Sequence, residues 1–208
     1  DGREYVIDLA PGRATPAPWS NVLANERFGC VASESNTGYT WAENAHEFRL
    51  TPWHDDPVSD PSGEAFYIRD EQTGRFWSPT PLPSAGDGAY RVRHGFGYSV
   101  YEHEQDGVAS ELWVYVARES PVKFSVLRVR NTGDATRRLS ATGYVEWILG
   151  DLHARTQMHV VTASEPDHPG GAVLARNAYN AEFGGRVAFF DADVDAAGWH
   201  GEDARRSV

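Results

Sequence analysis

The sequence predicts an all-β fold and, more narrowly, a large antiparallel β-sandwich. Apolar and polar residues alternate along much of the chain, and this is the period of a half-buried strand. The 208 residues include 20 Gly and 12 Pro, which indicate many turns, while aromatic residues reach 12%. This mixture favours short strands joined by turns over a helical bundle.

About a dozen strands of ordinary length account for most of the chain. Only residues 177–183 resemble a helical turn. In order, strands are expected at residues 4–9, 29–32, 48–50, 65–69, 90–94, 98–104, 108–117, 122–130, 137–148, 158–163, 172–175 and 186–191.

The four central strands are expected to form two β-hairpins. Asp106-Gly107 supplies the turn of the first hairpin, because an Asp-Gly pair favours a tight two-residue connection. The second hairpin turns at residues 131–134. Alternation in its first strand places Val122, Phe124 and Val126 on one face and Lys123 and Ser125 on the other.

Charge and cysteine content exclude several classes of protein. A net charge of −11 argues against a nucleic-acid partner, because no basic surface is available for phosphates. The single Cys30 can form neither an internal disulfide nor a thiolate metal site, which suits a reducing compartment. We expect residues 1–208 to form one sandwich domain, and both ends of the sequence indicate a piece of a longer chain.

One long segment, residues 33–83, departs from the strand pattern. Five of the 12 prolines fall in residues 51–63 and 77–81. The segment also holds Trp41, Trp53 and Trp77 among polar residues. A loop of this kind is usually functional or packs against another domain. Aromatic faces beside polar side chains are what sugar binding uses, although each Trp has an alternative interpretation as a core residue.

Acidic and histidine residues offer weaker candidates for chemistry. Paired carboxylates can serve as the acid and base of a glycosidase, but Asp-Pro sequences are also turn formers, and adjacent side chains in an extended chain face opposite ways. His54 with its two following Asp residues could bind a metal, although no helical His pair or Cys cluster accompanies it. His94 could act as an acid or be a hydrogen-bonded strand residue. The acidic residues concerned are Asp55, Asp56, Asp60 and Glu64.

Two other patterns favour structure over chemistry. The glycines of Arg93-His-Gly-Phe-Gly-Tyr98 lack the strand–loop–helix context and the Lys of a phosphate loop. Cys30 stands between Gly29 and Val31 in an apolar strand, so we expect a small buried hydrophobic residue.

Several long motifs resemble the N-terminal domain of glycoside hydrolase family 94, and most of all the phosphorylase-like part of cyclic β-1,2-glucan synthases. The similarity spans nearly the whole chain. The motifs are Pro18-Trp-Ser-Asn-Val-Leu-Ala-Asn25, Gly38-Tyr-Thr-Trp-Ala-Glu-Asn-Ala-His-Glu-Phe-Arg-Leu-Thr-Pro-Trp53, Trp77-Ser-Pro79, Arg93-His-Gly-Phe96, Glu146-Trp-Ile-Leu-Gly-Asp151 and Thr156-Gln-Met-His-Val-Val-Thr162.

The resemblance implies a sandwich of the galactose-mutarotase-like type, followed in the family by a helical linker and an (α/α)6 barrel. Family members cleave β-glucosides with inorganic phosphate, inverting to an α-sugar 1-phosphate. Their general acid is an Asp on the barrel, so the resemblance implies no cofactor, no metal and no catalytic residue in this chain. We therefore expect the fragment to be inactive alone, with the downstream barrel, a β-glucan oligosaccharide and phosphate as partners in the full protein.

The resemblance also implies an edge of the sugar site and a subunit contact. Related cellobiose phosphorylases carry a Gln-Arg pair that reaches the acceptor sugar; here Gln157 matches and Met158 replaces the Arg, with His159 as a possible substitute. Further candidates for a rim facing the barrel are Trp41, Asn44, Arg49 and Trp53, where Arg49 could instead pair with Glu43 or Glu47. A homodimer, in the cytoplasm or on the cytoplasmic side of the inner membrane, is expected.

Two further hypotheses need no partner domain. The first is a mutarotase-like sugar epimerase that uses a His and a carboxylate, such as His94 and Glu64. The second is a carbohydrate-binding module that holds sugar on Trp41 or Trp53.

Overall fold

Antiparallel strands form nearly all of the regular structure, which confirms the all-β prediction. The computed structural model describes residues 2–56, 58–59, 61–165 and 172–193. A helix α1 (His153–Thr156) and a 3-10 turn (Gln157–His159) interrupt the strands. The strands are β1 (Glu4–Leu9), β2 (Ser20–Ala24), β3 (Phe28–Ser33), β4 (Thr40–Ala42), β5 (Glu64–Asp70), β6 (Phe76–Trp77), β7 (Tyr90–Gly95), β8 (Tyr98–Gln105), β9 (Val108–Val116), β10 (Lys123–Asn131), β11 (Leu139–Val145), β12 (Val161–Ser164), β13 (Val173–Arg176) and β14 (Ala188–Phe190).

One layer of the sandwich is a five-stranded sheet with the order β1-β7-β8-β9-β10. Its neighbouring strands are antiparallel throughout. The first predicted hairpin is present, with Gln105 opposite Val108. Asp106 and Gly107 have φ of 51° and 76°, the left-handed values that a two-residue hairpin turn requires.

The second predicted hairpin is wrong, although both of its strands exist. β10 pairs with β9, whereas β11 pairs with β5 in a different sheet, with Leu139 opposite Asp70. The intervening segment crosses between layers and lets Leu139 pack against the buried Ile68 and Trp77. Alternation predicts which residues share a face, but it does not identify the neighbouring strand.

Smaller differences occur where apolar runs are short. Residues 48–50 contribute only an isolated bridge at Arg49, and residues 157–159 form the 3-10 turn, so β12 begins at Val161. Residues 177–183 form turns instead of a helix. The sequence does not predict β2, β4 and β6, which have five, three and two residues.

The opposing layer consists of two three-stranded sheets, β2-β3-β4 and β11-β5-β6. Sheet β11-β5-β6 packs on the large sheet through Ile68, Trp77 and Val108. The cluster between β2-β3-β4 and the large sheet contains Ile7, Leu9, Leu23, Cys30, Tyr90, Val92, Tyr101, Leu112 and Val114. Two apolar faces buried against one another make the predicted sandwich.

A third small sheet, β12-β13-β14, packs on the loop that follows β4. The rings of Phe48 and Phe183 stack with centroids 4.5 Å apart. Their cluster is completed by Phe28, Leu50, Leu149, Ala175 and Ala188. This packing fixes residues 43–50 and residues 149–151 against the same core, and it positions the site described below.

Strand β10 has an unexpected orientation. Lys123 lies on the face that also carries Leu127 and Val129, both packed on the sandwich core, while Phe124 is 43% exposed on the opposite face. The cation is therefore directed inward and the aromatic ring outward. Among the described residues, no helix is long and apolar enough to cross a membrane.

Candidate functional site

An aromatic cluster forms around β4. Tyr39 lies at its centre, with the ring centroids of Trp41 and Trp53 each 5.3 Å from its own. The guanidinium carbon of Arg49 lies 5.4 Å from the Tyr39 centroid, which is a cation–π distance. We call these four residues the Tyr39 cluster. All four are half-buried, so part of each side chain is accessible to a ligand.

Asn44 builds the turn that brings Arg49 back to β4. Its Oδ1 accepts hydrogen bonds from the backbone N–H groups of His46 and Glu47, both at 2.9 Å. Its carbonyl accepts from the N–H of Phe48 at 3.0 Å, and Phe48 is buried. Asn44 therefore shapes the loop, and its amide oxygen is already occupied.

Arg49 is held by backbone contacts. Its Nη1 donates to the carbonyl of Asp151 and its Nε to that of Ala45, each at 3.4 Å. An isolated bridge also joins Arg49 to Gly150, with hydrogen bonds of 3.0 Å in both directions. These two long side-chain bonds use two of five guanidinium donors, so Arg49 keeps hydrogen-bonding capacity for a ligand.

The expected alternative for Arg49, an ion pair with a neighbouring glutamate, is not what the structure contains. Glu43 pairs with Arg186, and Glu47 contacts His46 with Nδ1 and Oε1 2.7 Å apart. The planar guanidinium lies on Tyr39 instead. A stacked Arg of this kind presents its edge to polar partners.

A half-buried ion pair ties together the two ends of the aromatic loop. Lys123 Nζ contacts Glu64 Oε2 and donates to Thr40 Oγ1 at 2.8 Å. The hydroxyls of Thr40 and Thr51 donate to Glu64 Oε1 at 2.5 and 2.7 Å. Thr40 precedes Trp41 and Thr51 lies two residues before Trp53. One carboxylate therefore sets the spacing of the two indole rings.

The electrostatics of this pair favour the charged forms. Burial raises the pKa of Glu64, but the Lys123 ammonium and the two threonine hydroxyls outweigh it, and the pKa falls below its usual value. Burial lowers the pKa of Lys123, but the carboxylate outweighs it and the pKa rises. Both groups are ionised at neutral pH, so Glu64 is a structural anion.

The segment after β11 forms the second wall of the region. His153 Nε2 lies 2.5 Å from Glu146 Oε1, and the His54 ring lies 6.1 Å from that of His153. Gln157 is exposed on the 3-10 turn, and the His159 ring lies 4.5 Å from Tyr179. The fold joins this segment to the cluster through the Arg49 bridge.

The structure thus brings three of the six rim candidates, Trp41, Arg49 and Trp53, into one cluster. Asn44 supports that cluster from the loop, while Gln157 and His159 lie on the neighbouring turn, where the ring contact of His159 is with Tyr179. Sequence reasoning missed Tyr39, although its position two residues before Trp41 places both on one face of an extended segment. It also missed Lys123, whose one signal was that it is the only Lys in the chain.

The residues of the epimerase hypothesis belong to separate networks. His94 Nδ1 lies 2.8 Å from the Ser99 hydroxyl, and Nε2 lies 3.1 Å from the carbonyl of Trp19. Both ring nitrogens therefore have protein partners. Burial lowers the pKa of His94, which favours the neutral ring. His94 is thus a hydrogen-bonded strand residue, and Glu64 is bound to Lys123.

The acidic loop forms a turn. Asp56 Oδ1 accepts hydrogen bonds from the backbone N–H groups of Val58 and Ser59 at 3.0 and 3.3 Å. The hydrogen bond from the Ser59 hydroxyl lowers the pKa of Asp56 most, and these two backbone bonds lower it further. Asp55 has φ of 50°. Asp60, His168 and His200 lie outside the described residues. Within the described ranges, no three His, Cys, Asp or Glu side chains are grouped to hold a metal ion.

Cys30 and the glycine pattern have structural roles. Cys30 is 2% exposed, and burial raises the pKa of its thiol to about 11. A thiol with that pKa is protonated at neutral pH and is a poor nucleophile. Gly95 pairs with Tyr98 across the β7–β8 turn, and Gly97 has φ of 86°, so these glycines make a hairpin.

Comparison with known proteins gives the family. The model of the glycosyl hydrolase 94 supersandwich domain matches residues 3–206. The chain is 40% identical over 200 residues to cyclic beta-(1,2)-glucan synthase NdvB of Rhizobium meliloti (strain 1021), covering 96% of this chain and 7% of that protein. It is 31% identical over 202 residues to N,N'-diacetylchitobiose phosphorylase of Vibrio furnissii, covering 93% of this chain and 25% of that protein.

A third relative is 3-O-beta-D-glucopyranosyl-beta-D-glucuronide phosphorylase of Paenibacillus borealis, which is 31% identical over 141 residues, or 67% of this chain and 17% of that protein. The chain therefore spans a quarter or less of the length of these relatives. Its match to the family model runs from β1 to beyond β14. The chain belongs to glycoside hydrolase family 94, and it is the supersandwich domain of that family.

Proposed function

We propose that this chain is a non-catalytic, carbohydrate-associated domain of a β-glucan phosphorylase or cyclic β-1,2-glucan synthase. It shapes one edge of the glucan site of a catalytic helical barrel that follows it, and it contributes to subunit contacts. The parent enzyme acts on β-glucosides with inorganic phosphate, in the cytoplasm or on the cytoplasmic side of the inner membrane. The observation that carries the proposal is the Tyr39 cluster.

The chemistry of the cluster suits a sugar. Substituents of a β-glucosyl ring are equatorial, so both ring faces are apolar and can stack on Trp41 or Trp53. The edge of the ring carries hydroxyl groups, which the remaining donors of Arg49 can bind. The Glu64–Lys123 pair and the Asn44 turn hold these side chains before a ligand arrives, which lowers the entropic cost of binding.

The assignment as non-catalytic is supported by the hydrogen bonds and ion pairs of the side chains that could act as a general acid. Glu64 is bound to Lys123 and two hydroxyls, Asp56 caps a turn, and both nitrogens of His94 are bonded. A general acid must instead reach the glycosidic oxygen and change its protonation state. These three residues have structural partners that hold each of them in one protonation state.

The contact with the barrel is proposed at the segment that carries Gln157 and His159. Met158 and Tyr179 are 77% and 78% exposed there, and Leu152 is also exposed. Apolar side chains grouped around a polar turn are typical of a surface that another domain covers. This surface would bring Gln157 and His159 towards the acceptor end of the sugar site.

The proposal is tested in the parent enzyme with Trp53→Ala and Arg49→Ala. We expect each to raise KM for a β-1,2-gluco-oligosaccharide about tenfold, since each removes about 1.4 kcal/mol of ligand binding, with a smaller change in kcat. Trp113→Ala is the matched control, because Trp113 also stacks with an arginine, Arg93, at 5.7 Å but lies in the five-stranded sheet. Unchanged KM in both cluster variants would exclude the Tyr39 cluster from the sugar site.

A further inference from the structure

A second concave surface lies beside β1, away from the Tyr39 cluster. It is a groove of about 740 Å³ where β1, the start of β2 and the tip of the β7–β8 hairpin meet. Three aromatic residues line it: Tyr5 at 55% exposure, Trp19 at 41% and Phe96 at 93%. The rings of Tyr5 and Trp19 lie 5.2 Å apart with an interplanar angle of 58°. None of these residues belongs to the Tyr39 cluster.

Hydrogen bonds hold the backbone of this surface in place. The Trp19 N–H donates to Glu34 Oε2 at 2.7 Å, and the Trp19 carbonyl lies 3.1 Å from His94 Nε2. Asn21 Nδ2 lies 3.0 Å from the carbonyls of Gly95 and Tyr98, on either side of the hairpin tip. Trp19 is therefore fixed at both of its peptide groups, and the turn that carries Phe96 is fastened to β2.

Polar groups stand beside the rings. Glu4 lines the groove, and Arg93 and the Tyr98 hydroxyl bond to its Oε1 at 2.8 and 2.7 Å. Those bonds keep the carboxylate ionised and lower its pKa, the Tyr98 bond most of all. Within the part of the chain that the structure describes, both of these bonds go to Oε1, and Oε2 can accept a hydrogen bond from a ligand hydroxyl. Ser20 also lines this groove.

The groove continues along β1. A second depression of about 450 Å³ shares Trp19 with the first and lies between β1 and residues 13–16. The segment that flanks β1 contains Pro11, Pro16 and Pro18. Proline lacks an N–H group, so residues 11–18 cannot themselves offer a continuous β-ladder to a ligand. The exposed rings of Tyr5, Trp19 and Phe96 suit an elongated ligand that stacks on them.

We propose that this groove, lined by Tyr5, Trp19 and Phe96 with Glu4 at its side, is a second carbohydrate-binding site that takes a neutral β-glucosidic oligosaccharide. The apolar faces of successive sugar rings stack on the aromatic side chains, and Glu4 accepts hydrogen bonds from hydroxyl groups. A second site would hold a growing or waiting glucan chain on the same domain. The proposal concerns a separate surface and does not require the Tyr39 cluster to bind sugar.

The test measures binding of β-1,2-gluco-oligosaccharides to the chain by titration calorimetry. Phe96→Ala and Tyr5→Ala are expected to weaken the affinity about five- to tenfold each. Phe96 is almost fully exposed, so its removal leaves the fold intact, and an unchanged unfolding midpoint verifies this. Phe76→Ala is the matched control, because Phe76 is 59% exposed in a different sheet, and its affinity should equal that of the unaltered chain.

Three results would overturn the proposal. One is the absence of saturable binding of any β-gluco-oligosaccharide. Another is binding that is unaffected by Phe96→Ala and Tyr5→Ala but lost in Trp53→Ala, which would place the only sugar site at the Tyr39 cluster. The last is a concentration-dependent dimer that Phe96→Ala dissociates while sugar binding stays the same, which would make this surface a contact between copies.

Discussion

Replacing Lys123 by Met is expected to destabilise the sandwich strongly. The substitution leaves the Glu64 carboxylate between the layers without the cation that neutralises it. Removing one partner of a buried pair costs about 3–5 kcal/mol. The side chains of Lys123 and Glu64 are 18% and 24% exposed, so solvent weakens the effect and we expect about 3 kcal/mol.

The pH dependence gives a sharper test of the same substitution. In the unaltered chain the pKa of Glu64 is lowered, so its contribution to stability is present above the unfolded pKa of about 4.3 and is lost as the pH falls through the folded pKa. In Lys123→Met, only the hydroxyls of Thr40 and Thr51 still oppose the effect of burial, so the pKa of Glu64 is higher than in the unaltered chain. The difference in free energy of unfolding between the two proteins should therefore be large at pH 7 and smaller near pH 4.5.

Urea unfolding followed by circular dichroism measures this difference. The free energy is taken from the midpoint at constant slope. Arg128→Met is the matched control on the same strand, because Arg128 pairs with Glu111 at 3.1 Å but is 69% exposed, and its loss should cost about 0.5 kcal/mol or less. A cost below about 1 kcal/mol for Lys123→Met, or one independent of pH, would refute a neutralising role for Lys123.

Three further predictions concern other buried positions. In the folded protein, Cys30 should resist a disulfide reagent at pH 8, because burial raises the pKa of its thiol to about 11. In urea the same thiol should react at once, and rapid labelling of the folded protein would contradict its burial. The unaltered chain should lose stability between pH 7 and 5, because the lowered pKa of His94 makes the unfolded state bind the extra proton, and His94→Gln should reduce this loss. The same substitution should leave any rate of anomer interconversion unchanged. A pH profile of stability in urea titrations that His94→Gln does not alter would count against a neutral His94. Gly29→Ala should lower the free energy of unfolding by about 1–3 kcal/mol and shift the tryptophan fluorescence, because an added Cβ would lie 2.4 Å from Trp41 Cζ2. Equal unfolding midpoints and equal spectra for the two proteins would show that Trp41 can move away without cost.

The sequence predicts the strands of this protein better than their partners. Bounds of β1, β5 and β7 agree to within one residue, because alternation reports which face of a strand is buried. The partner of β11 depends on a crossing between layers, which local pattern does not contain. The three residues of β4 are too few to show a period of their own, and the sequence does not predict that strand.

For the candidate site too, the sequence indicates which residues take part but not how they come together. Trp41 and Trp53 could be selected because bulky aromatic residues in a polar, proline-rich loop need a reason to be there, whereas Arg49 is selected through the resemblance to the family. Their convergence on Tyr39 depends on the Arg49 bridge to β4 and to Gly150, which joins residues a hundred positions apart. The inward orientation of Lys123 could not be predicted from its strand, because a lysine on an alternating face usually lies in solvent.

The central claim, that this domain shapes a sugar site but does not itself catalyse, is tested most directly by phosphorolysis. The chain alone, and the chain joined to the catalytic barrel of its parent enzyme, would each be incubated with β-1,2-gluco-oligosaccharides and inorganic phosphate. We predict α-glucose 1-phosphate from the joined protein and none from the chain alone. Product from the chain alone would contradict the claim and would place a general acid among residues such as Asp55 or Asp56.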